Sequence, residues 1–520
     1  MTSRLPFAQR LQLFPILRIA LPLALGIWVA DAIPHLITVR VWMATTVAVA
    51  AAGCALWRKP FLQGATLMAA FFLLGGWLMT VRRQADEVVL PQSAVCYKAV
   101  VLSRPVQHGK VVMCDLLLCE GRYARRKVKA SFFRDTVQHR YEWLEVGRVV
   151  EAASRFEEPQ RARWSTSNFD YERWMAVHGF IGKTFVYYRN WRPAHSSLSQ
   201  LSRLERMQVR LLRFREQLRK RLDAVEADDQ AVAVVAAMTL GDKSTLSKAS
   251  KDVYNMTGVA HVLALSGLHL GIIYFLMTFL FSLGRWKTFG QAMAFVFIWA
   301  YAIMVGLMPS VVRAACMYSL YAFVSILGRD RVSLNTLSFA ALVMLMENPL
   351  TLWDVGFQLS FMSVLGIVLF YRSLFQVVHL GWLNCHRVLK WLWSMVCVSL
   401  SAQLLSTPLV LFYFGRLACY SLLANIVVVP LTTLVVYGGV LALALMPVPV
   451  LQGWVMAGVV ALAQGLNAVV VALSHLPGGT VDGLRLRPAQ VVLLYVLIGC
   501  CSGLCHYGAL LYRSANGRKL

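Results

Sequence analysis

Twelve apolar stretches, each near the ~20 residues that carry a helix across a bilayer, constrain this 520-residue chain more than any other feature. They fall at about 13–33, 38–57 and 61–80, and then at 261–284, 289–308, 311–328, 332–347, 355–373, 391–414, 418–446, 451–475 and 489–512. Lipid offers the backbone no hydrogen-bond partner, so such runs must fold as helices. The long 418–446 stretch holds Asn425, Pro430 and Gly438–Gly439 and is expected to break, which gives ten to twelve spans. With 58% hydrophobic residues and a mean hydropathy of +0.59, the chain is a polytopic α-helical membrane protein and not a soluble multidomain one.

Lys and Arg outnumber Asp and Glu by 51 to 25. Cytoplasmic loops account for part of this: Arg58/Lys59, Arg285/Lys287, Arg329/Arg331, Arg372 with Arg387/Lys390, and Arg513/Arg518/Lys519 alternate with Pro309, Glu347/Pro349 and Arg416. That alternation places both termini inside and the segment after residue 80 outside. Between Arg82 and Val225, 28 basic residues meet 15 acidic ones in a region too polar for lipid. That excess needs its own explanation.

In this region the pattern changes to short alternating runs, Val95–Leu102, Lys110–Leu118, Lys127–Phe133, Arg148–Arg155 and Ile181–Tyr188. Five strands in so short a segment predict a small OB-like β-barrel domain. Asn168 is the expected cap of a helical turn that Gly179 stops. Arg122, Tyr123, Arg125, Arg126, Lys127 and Lys129 lead into Phe132 and Phe133, mixing cations for phosphates with rings for bases. A basic strand facing anionic headgroups accounts for the same residues. Gly182–Lys183–Thr184 lacks the first glycine of a phosphate loop. Cys96, Cys114 and Cys119 allow one disulfide without selecting a pair.

From Leu201 to Leu222 apolar residues step by three or four opposite Arg203, Arg206, Arg210, Arg213 and Arg219, an amphipathic basic helix for the membrane surface. The expected partition is 1–80 for the first spans, 81–190 for the barrel, 191–225 for the interfacial helix and 226–520 for the main bundle.

Polar residues recur inside that bundle. Gly258–Gly271 carries His261, Ser266 and His269, and beyond it stand Arg313, Asp354, Gln358, Gln403, Thr407–Pro408 and Asn425. Such groups line cavities or pair with one another, and an Arg313–Asp354 ion pair is the structural alternative to a polar path. Ser266, His269 and Asp354 offer the residue types of a hydrolase triad, but no Gly-x-Ser-x-Gly elbow surrounds Ser266. No His-Glu-x-x-His, zinc-ligand spacing or phosphate loop occurs, so no cofactor, metal or catalytic role is expected.

The set Leu240–Gly241–Asp242, Gly258-x-x-His261, Leu265–Ser266–Gly267–Leu268–His269, Pro309-x-x-x-Arg313–Ala314, Asp354-x-Gly356–Phe357–Gln358–Leu359–Ser360, Thr407–Pro408 and Asn425-x-x-x-x-Pro430 resembles the competence region of ComEC-type DNA uptake channels. Asn168–Phe169–Asp170–Tyr171 through Gly179 and Gly182 is similar to that family's extracytoplasmic domain. The resemblance implies a bacterial inner-membrane channel that conducts single-stranded DNA inward during natural transformation. It also implies a periplasmic DNA-binding receptor, a separate nuclease and a cytoplasmic motor or DNA-binding protein as partners, besides membrane lipids. Many members carry a metallo-β-lactamase-like domain credited with degrading the second strand; these 520 residues hold no His-x-His-x-Asp-His signature, so nuclease activity is not expected of them. His261, Ser266, His269, Arg313, Asp354, Gln358 and Asn425 are the expected channel-lining or gating residues. The alternative from another class is a transporter of a small anionic or lipid-like solute, braced by the β domain.

Overall fold

A computed structural model describes residues 14–515 apart from positions 35, 88, 92, 122, 136–138, 159–167, 195–200, 224–227, 264, 266, 281–286, 327–332 and 379. Three helices open it: α1 (Leu17–Ala32), α2 (Val39–Ala55) and α3 (Pro60–Asp86). Without a hydrophobic drive between lipid-bathed helices, close backbone approach supplies the adhesion. At the α1–α3 crossing a Cβ on Gly26 would lie 1.8 Å from the Phe72 carbonyl oxygen, and one on Gly75 2.2 Å from that of Leu23.

The β domain follows, with strands β1 (Val95–Val101), β2 (Val106–His108), β3 (Val111–Leu118), β4 (Lys127–Phe133), β5 (Val149–Ser154) and β6 (Phe156–Glu157). A short helix α4 (Tyr171–Val177) and strands β7 (Phe180–Val186) and β8 (Trp191–Ala194) complete it. The strand order is β6-β7-β4-β3-β1-β5-β8, with β2 on β3. Only Arg155 separates β5 from β6, so they act as one bent strand that pairs with β1 at one end and β7 at the other. The bend closes the ring. β4 and β7 run parallel while the other ring neighbours run antiparallel, the pairing of an OB-like barrel. Thr184 pins the bend, its hydroxyl donating to the Arg155 carbonyl at 2.9 Å and sharing a hydrogen bond with Ser154 at 2.6 Å.

The five strands predicted from period-two alternation are present. Three more, of two to four residues, are too short to show a period. Asp170, not Asn168, caps α4, its Oδ1 accepting from the Arg173 amide at 3.0 Å. The Asn168 amide is engaged elsewhere, donating to the Phe412 and Leu486 carbonyls at 2.9 and 3.3 Å. Cys96, Cys114 and Cys119 are free thiols.

Then come α5 (Arg203–Asp223), α6 (Asp229–Leu240), α7 (Lys248–Met256), α8 (Gly267–Leu280), α9 (Lys287–Val305), α10 (Pro309–Ile326) and α11 (Ser333–Glu347). A 3-10 turn at Pro349–Trp353 leads to α12 (Val355–Phe375), α13 (Leu380–Cys385) and α14 (Arg387–Phe414). Strand β9 (Arg416–Ala418), α15 (Ser421–Ala444), α16 (Pro449–Ser474), strand β10 (Thr480–Asp482) and α17 (Pro488–Ala515) end the chain. The chain is thus a multi-pass helical membrane protein with a separate β domain. α6 is apolar all round and buried from Ala231 to Leu240, packed within a core that includes Val428 and Val435 of α15 and Val459 and Ala463 of α16.

A helix stands at each predicted apolar stretch. Among the described residues six are long and apolar enough to cross a membrane by length and composition: α3, α12, α14, α15, α16 and, within α17, Pro488–Cys505. Others are shorter over the described residues. Two expectations change. The span expected from residue 261 starts at Gly267, because turns occupy Thr257 to Leu263. The stretch 418–446 is not broken: α15 runs through Pro430, and Gly438 and Gly439 admit Val459 and Thr239, which would stand 2.5 and 2.4 Å from added Cβ atoms.

Candidate nucleic-acid interface

On β4 the alternation sorts the predicted residues by face. Val128, Ala130 and Phe132 point into the barrel, and Phe132 is fully buried, edge-on to Trp191 at 5.4 Å. Lys127, Lys129, Ser131 and Phe133 are half-buried on the other face. β7 lies beside them in parallel register, pairing Lys129 with Lys183 and Ser131 with Phe185. Phe133 stacks on Tyr187 at 4.8 Å and 14°, with Phe185 at 6.3 Å. Phe185 and Tyr187 are 44% and 58% exposed, so their faces are open to a ligand.

Below these rings the cations take over. Lys129 Nζ lies 4.8 Å from the Trp174 ring and 5.2 Å from that of Phe180, and Lys183 Nζ lies 4.3 Å from that of Tyr171. Asp115 approaches Lys129 at 3.9 Å; burial pushes its carboxyl above the ordinary range while Lys129 and Lys127 oppose that rise. Burial likewise lowers Lys127, against the Asp115 and Glu347 charges. Sequence reasoning missed Lys183, Phe185 and Tyr187, although the alternation in Ile181–Tyr188 marks them as one face.

The remaining predicted barrel residues go elsewhere. Arg122 lies outside the described residues. Arg125 is exposed in a turn with φ +65°. Tyr123 packs edge-on to Phe156 at 5.9 Å and donates to the Val89 carbonyl at 3.0 Å. Arg126 binds Asp86 at 3.0 Å and the Ala85 carbonyl, tying the barrel to the end of α3.

In the bundle, the irregular segment after Gly258 is held from two sides. Gly258 has φ +75°, and a Cβ there would sit 2.7 and 2.8 Å from the side chains of Ser421 and Ala418. From α10, the Ser310 hydroxyl donates to the Leu265 carbonyl at 2.7 Å and Tyr318 to that of Gly267 at 3.3 Å. Non-helical backbone at membrane depth requires such protein partners. His261 is exposed in this turn, Ser266 lies outside the described residues and His269 is buried on α8.

Arg313, on α10, is 4% exposed. Its Nη1 has no hydrogen-bond partner, and its guanidinium lies 5.7 Å from the Phe361 ring. It forms no ion pair with Asp354, whose Oδ2 caps α12 by accepting from the Phe357 amide at 2.9 Å. Gln358 accepts from the Tyr413 hydroxyl at 2.7 Å and donates to the Leu352 carbonyl at 2.9 Å. Asn425 on α15 is buried with its Oδ1 unpartnered. A buried cation and a buried amide oxygen thus remain able to bind a polar visitor. Among the described residues no group of three or more His, Cys, Asp or Glu side chains is placed to hold a metal ion.

α5 joins the two regions. Its expected solvent-facing Arg219 is instead 1% exposed and bound at 2.7 Å to Asp242, which Arg104 of the barrel approaches at 3.6 Å. Burial pushes the Asp242 carboxyl up, but hydrogen bonds from Ser244 and the Arg219 charge outweigh it and hold the group below its ordinary value. On the same helix Lys220 pairs with Glu145 at 2.8 Å, Arg213 donates to the Gly147 carbonyl and Arg215 to that of Val305 at 3.3 Å. The basic residues of α5 are therefore spent in part on fastening barrel to bundle. Leu204, Met207 and Phe214 of the same helix remain exposed.

Comparison with known proteins connects these features. The family model described as "Competence protein" matches residues 238–505, more than half of the chain. The chain is 28% identical over 301 residues to ComE operon protein 3 of Bacillus subtilis, covering 58% of this chain and 36% of that protein. It is 28% identical over 215 residues to Recombination protein 2 of Haemophilus influenzae, covering 38% of this chain and 26% of that protein. The matches therefore span about a third or less of these relatives' length. No solved structure matches. The chain belongs to the competence protein family.

Proposed function

We propose that this protein conducts single-stranded DNA across the bacterial inner membrane during natural transformation, with the barrel outside as the landing surface and both termini in the cytoplasm. The observation that carries the reading is the Phe133–Tyr187 stack beside Lys129 and Lys183, rings and cations set on one open barrel face. Base stacking is sequence-tolerant because every base has a π-face, and lysines neutralise phosphates. Inside the bundle Arg313 receives the backbone charge, while His261, Ser266, His269, Asp354, Gln358 and Asn425 line or shape the path. No catalytic role is assigned to any of them. The divisions 1–80, 81–190, 191–225 and 226–520 serve as entry spans, landing domain, bracket with a lipid-facing stripe at Leu204, Met207 and Phe214, and channel. A periplasmic DNA receptor, a separate nuclease and a cytoplasmic motor or DNA-binding protein complete the process.

The test uses the full chain in lipid nanodiscs and fluorescent oligothymidylate. Affinity is expected to fall by orders of magnitude between roughly 50 and 500 mM salt and to change little with base sequence. Salt-independent binding, or transformation that proceeds undiminished in a deletion strain while solute accumulation changes, returns the chain to the solute-transporter class.

A further inference from the structure

Where the barrel rests on the bundle, a cavity of about 150 Å³ opens between α4 and the ends of α12 and α14. Its walls include Phe169, Arg173, Trp174, Trp353, Phe412 and Tyr413. We infer that this cavity is a docking site for one unstacked nucleobase, the point where a single strand leaves the barrel and enters the bundle; the inference rests on the reading above.

Five of those six walls are aromatic, and the sixth is a guanidinium whose carbon lies 4.1 Å from the Trp353 ring. Flat rings with a stacked cation hold a planar base. The electrostatics of the rim select the base over the phosphate. Asp31 pairs with both Arg173 and Arg83, and Asp170 lines the cavity, so two carboxylates balance the two guanidiniums and no net positive charge remains to draw a phosphate inside. The phosphates have their own place next door. Trp174, one wall, carries Lys129 at 4.8 Å and stacks on Tyr171 at 5.7 Å, and Tyr171 in turn carries Lys183 at 4.3 Å. A continuous track of rings and lysines therefore runs from Phe133 and Tyr187 down to the cavity.

The far wall connects to the bundle. Tyr413 donates from the cavity to Gln358, on the helix that Asp354 caps. A base seated between Trp174 and Tyr413 thus touches the barrel side and the bundle side at once, with Gln358 one hydrogen bond beyond Tyr413. Sequence alone could not assemble this site, since its walls come from three segments more than 170 residues apart at the first step and about 60 at the second.

The experiment uses the full chain in nanodiscs and an oligothymidylate with one 4-thiothymidine, irradiated and mapped by mass spectrometry. Cross-links are expected in the peptides holding Trp353 and Tyr413. Trp353→Leu should remove them and weaken strand affinity about tenfold, while Trp353→Phe, which keeps a ring, restores both. Thermal melting of both variants checks that the junction is intact. Strand binding with normal salt dependence but no cross-link in these peptides overturns the base site and leaves the channel reading standing. Absence of any strand binding by the wild-type chain overturns both.

Discussion

The barrel and the bundle treat polar groups in opposite ways. In the barrel, buried polar side chains are consumed by the fold: Tyr97, Ser154 and Thr184 form one hydrogen-bonded chain, and the ligand-ready rings and lysines lie outside. In the bundle, whose exterior faces lipid, polar chemistry must be internal, and Arg313 and Asn425 keep atoms without a partner there. The difference teaches where to look: a soluble-type domain offers function on its surface, whereas a membrane domain offers it where the polar groups within remain unsatisfied.

Neighbouring substitutions break that contrast most sharply. Phe132→Ala, which empties a fully buried site, should cost about 3–5 kcal/mol of barrel stability, measured as the loss of the folded domain on thermal or denaturant melting. Arg219→Met leaves Asp242 buried with less compensation and should cost about 3–5 kcal/mol; pairing it with Asp242→Leu should recover much of that loss. If the single variant melts like wild type, α5 is not the bracket described above. Arg313→Gln should leave the melting temperature near wild type yet reduce transformation roughly a hundredfold, with Arg313→Lys intermediate. An unchanged transformation frequency removes Arg313 from the path. Phe133→Ala, one residue from Phe132, should lower oligothymidylate affinity by about 1–3 kcal/mol while melting normally, because its ring lies on the open face.

The smallest effect is with pH. The Asp242 carboxyl is held below its unfolded value, so its contribution to stability is complete above the ordinary carboxylate pKa of about 3.9 and is lost as pH falls through the lower folded value. Acid melting should therefore be shallower in Asp242→Asn than in wild type. A parallel pair of acid-melting curves would show that Asp242 does not drive the transition.

How much of this was legible follows from periodicity. The five longer strands and the helix at each apolar stretch could be read because periods of two and runs of about 20 survive without knowledge of neighbours. Phe132 and Phe133 differ only in parity, so the alternation that located β4 also contained their opposite fates. Partner choice was not legible. The residue pattern puts Asn168 at the cap of α4, but Asp170 caps it while the Asn168 amide reaches two distant carbonyls. The helical pattern puts Arg219 on the polar face, and its pairing with Asp242 at 2.7 Å accounts for its burial. The end of the Gly258 turn was hidden for the same reason, since its carbonyl partners sit on α10.

The parallel pairing of β4 with β7 has one more consequence. Antiparallel neighbours interleave opposite chain directions, but these two advance together, with Lys127, Lys129 and Lys183 at the beginning and Phe133, Phe185 and Tyr187 at the end. The face therefore has a heading. On the function proposed above, a single strand of DNA, which has its own heading from 5′ to 3′, would lie on this face in one favoured sense, and its polarity would be chosen at first contact.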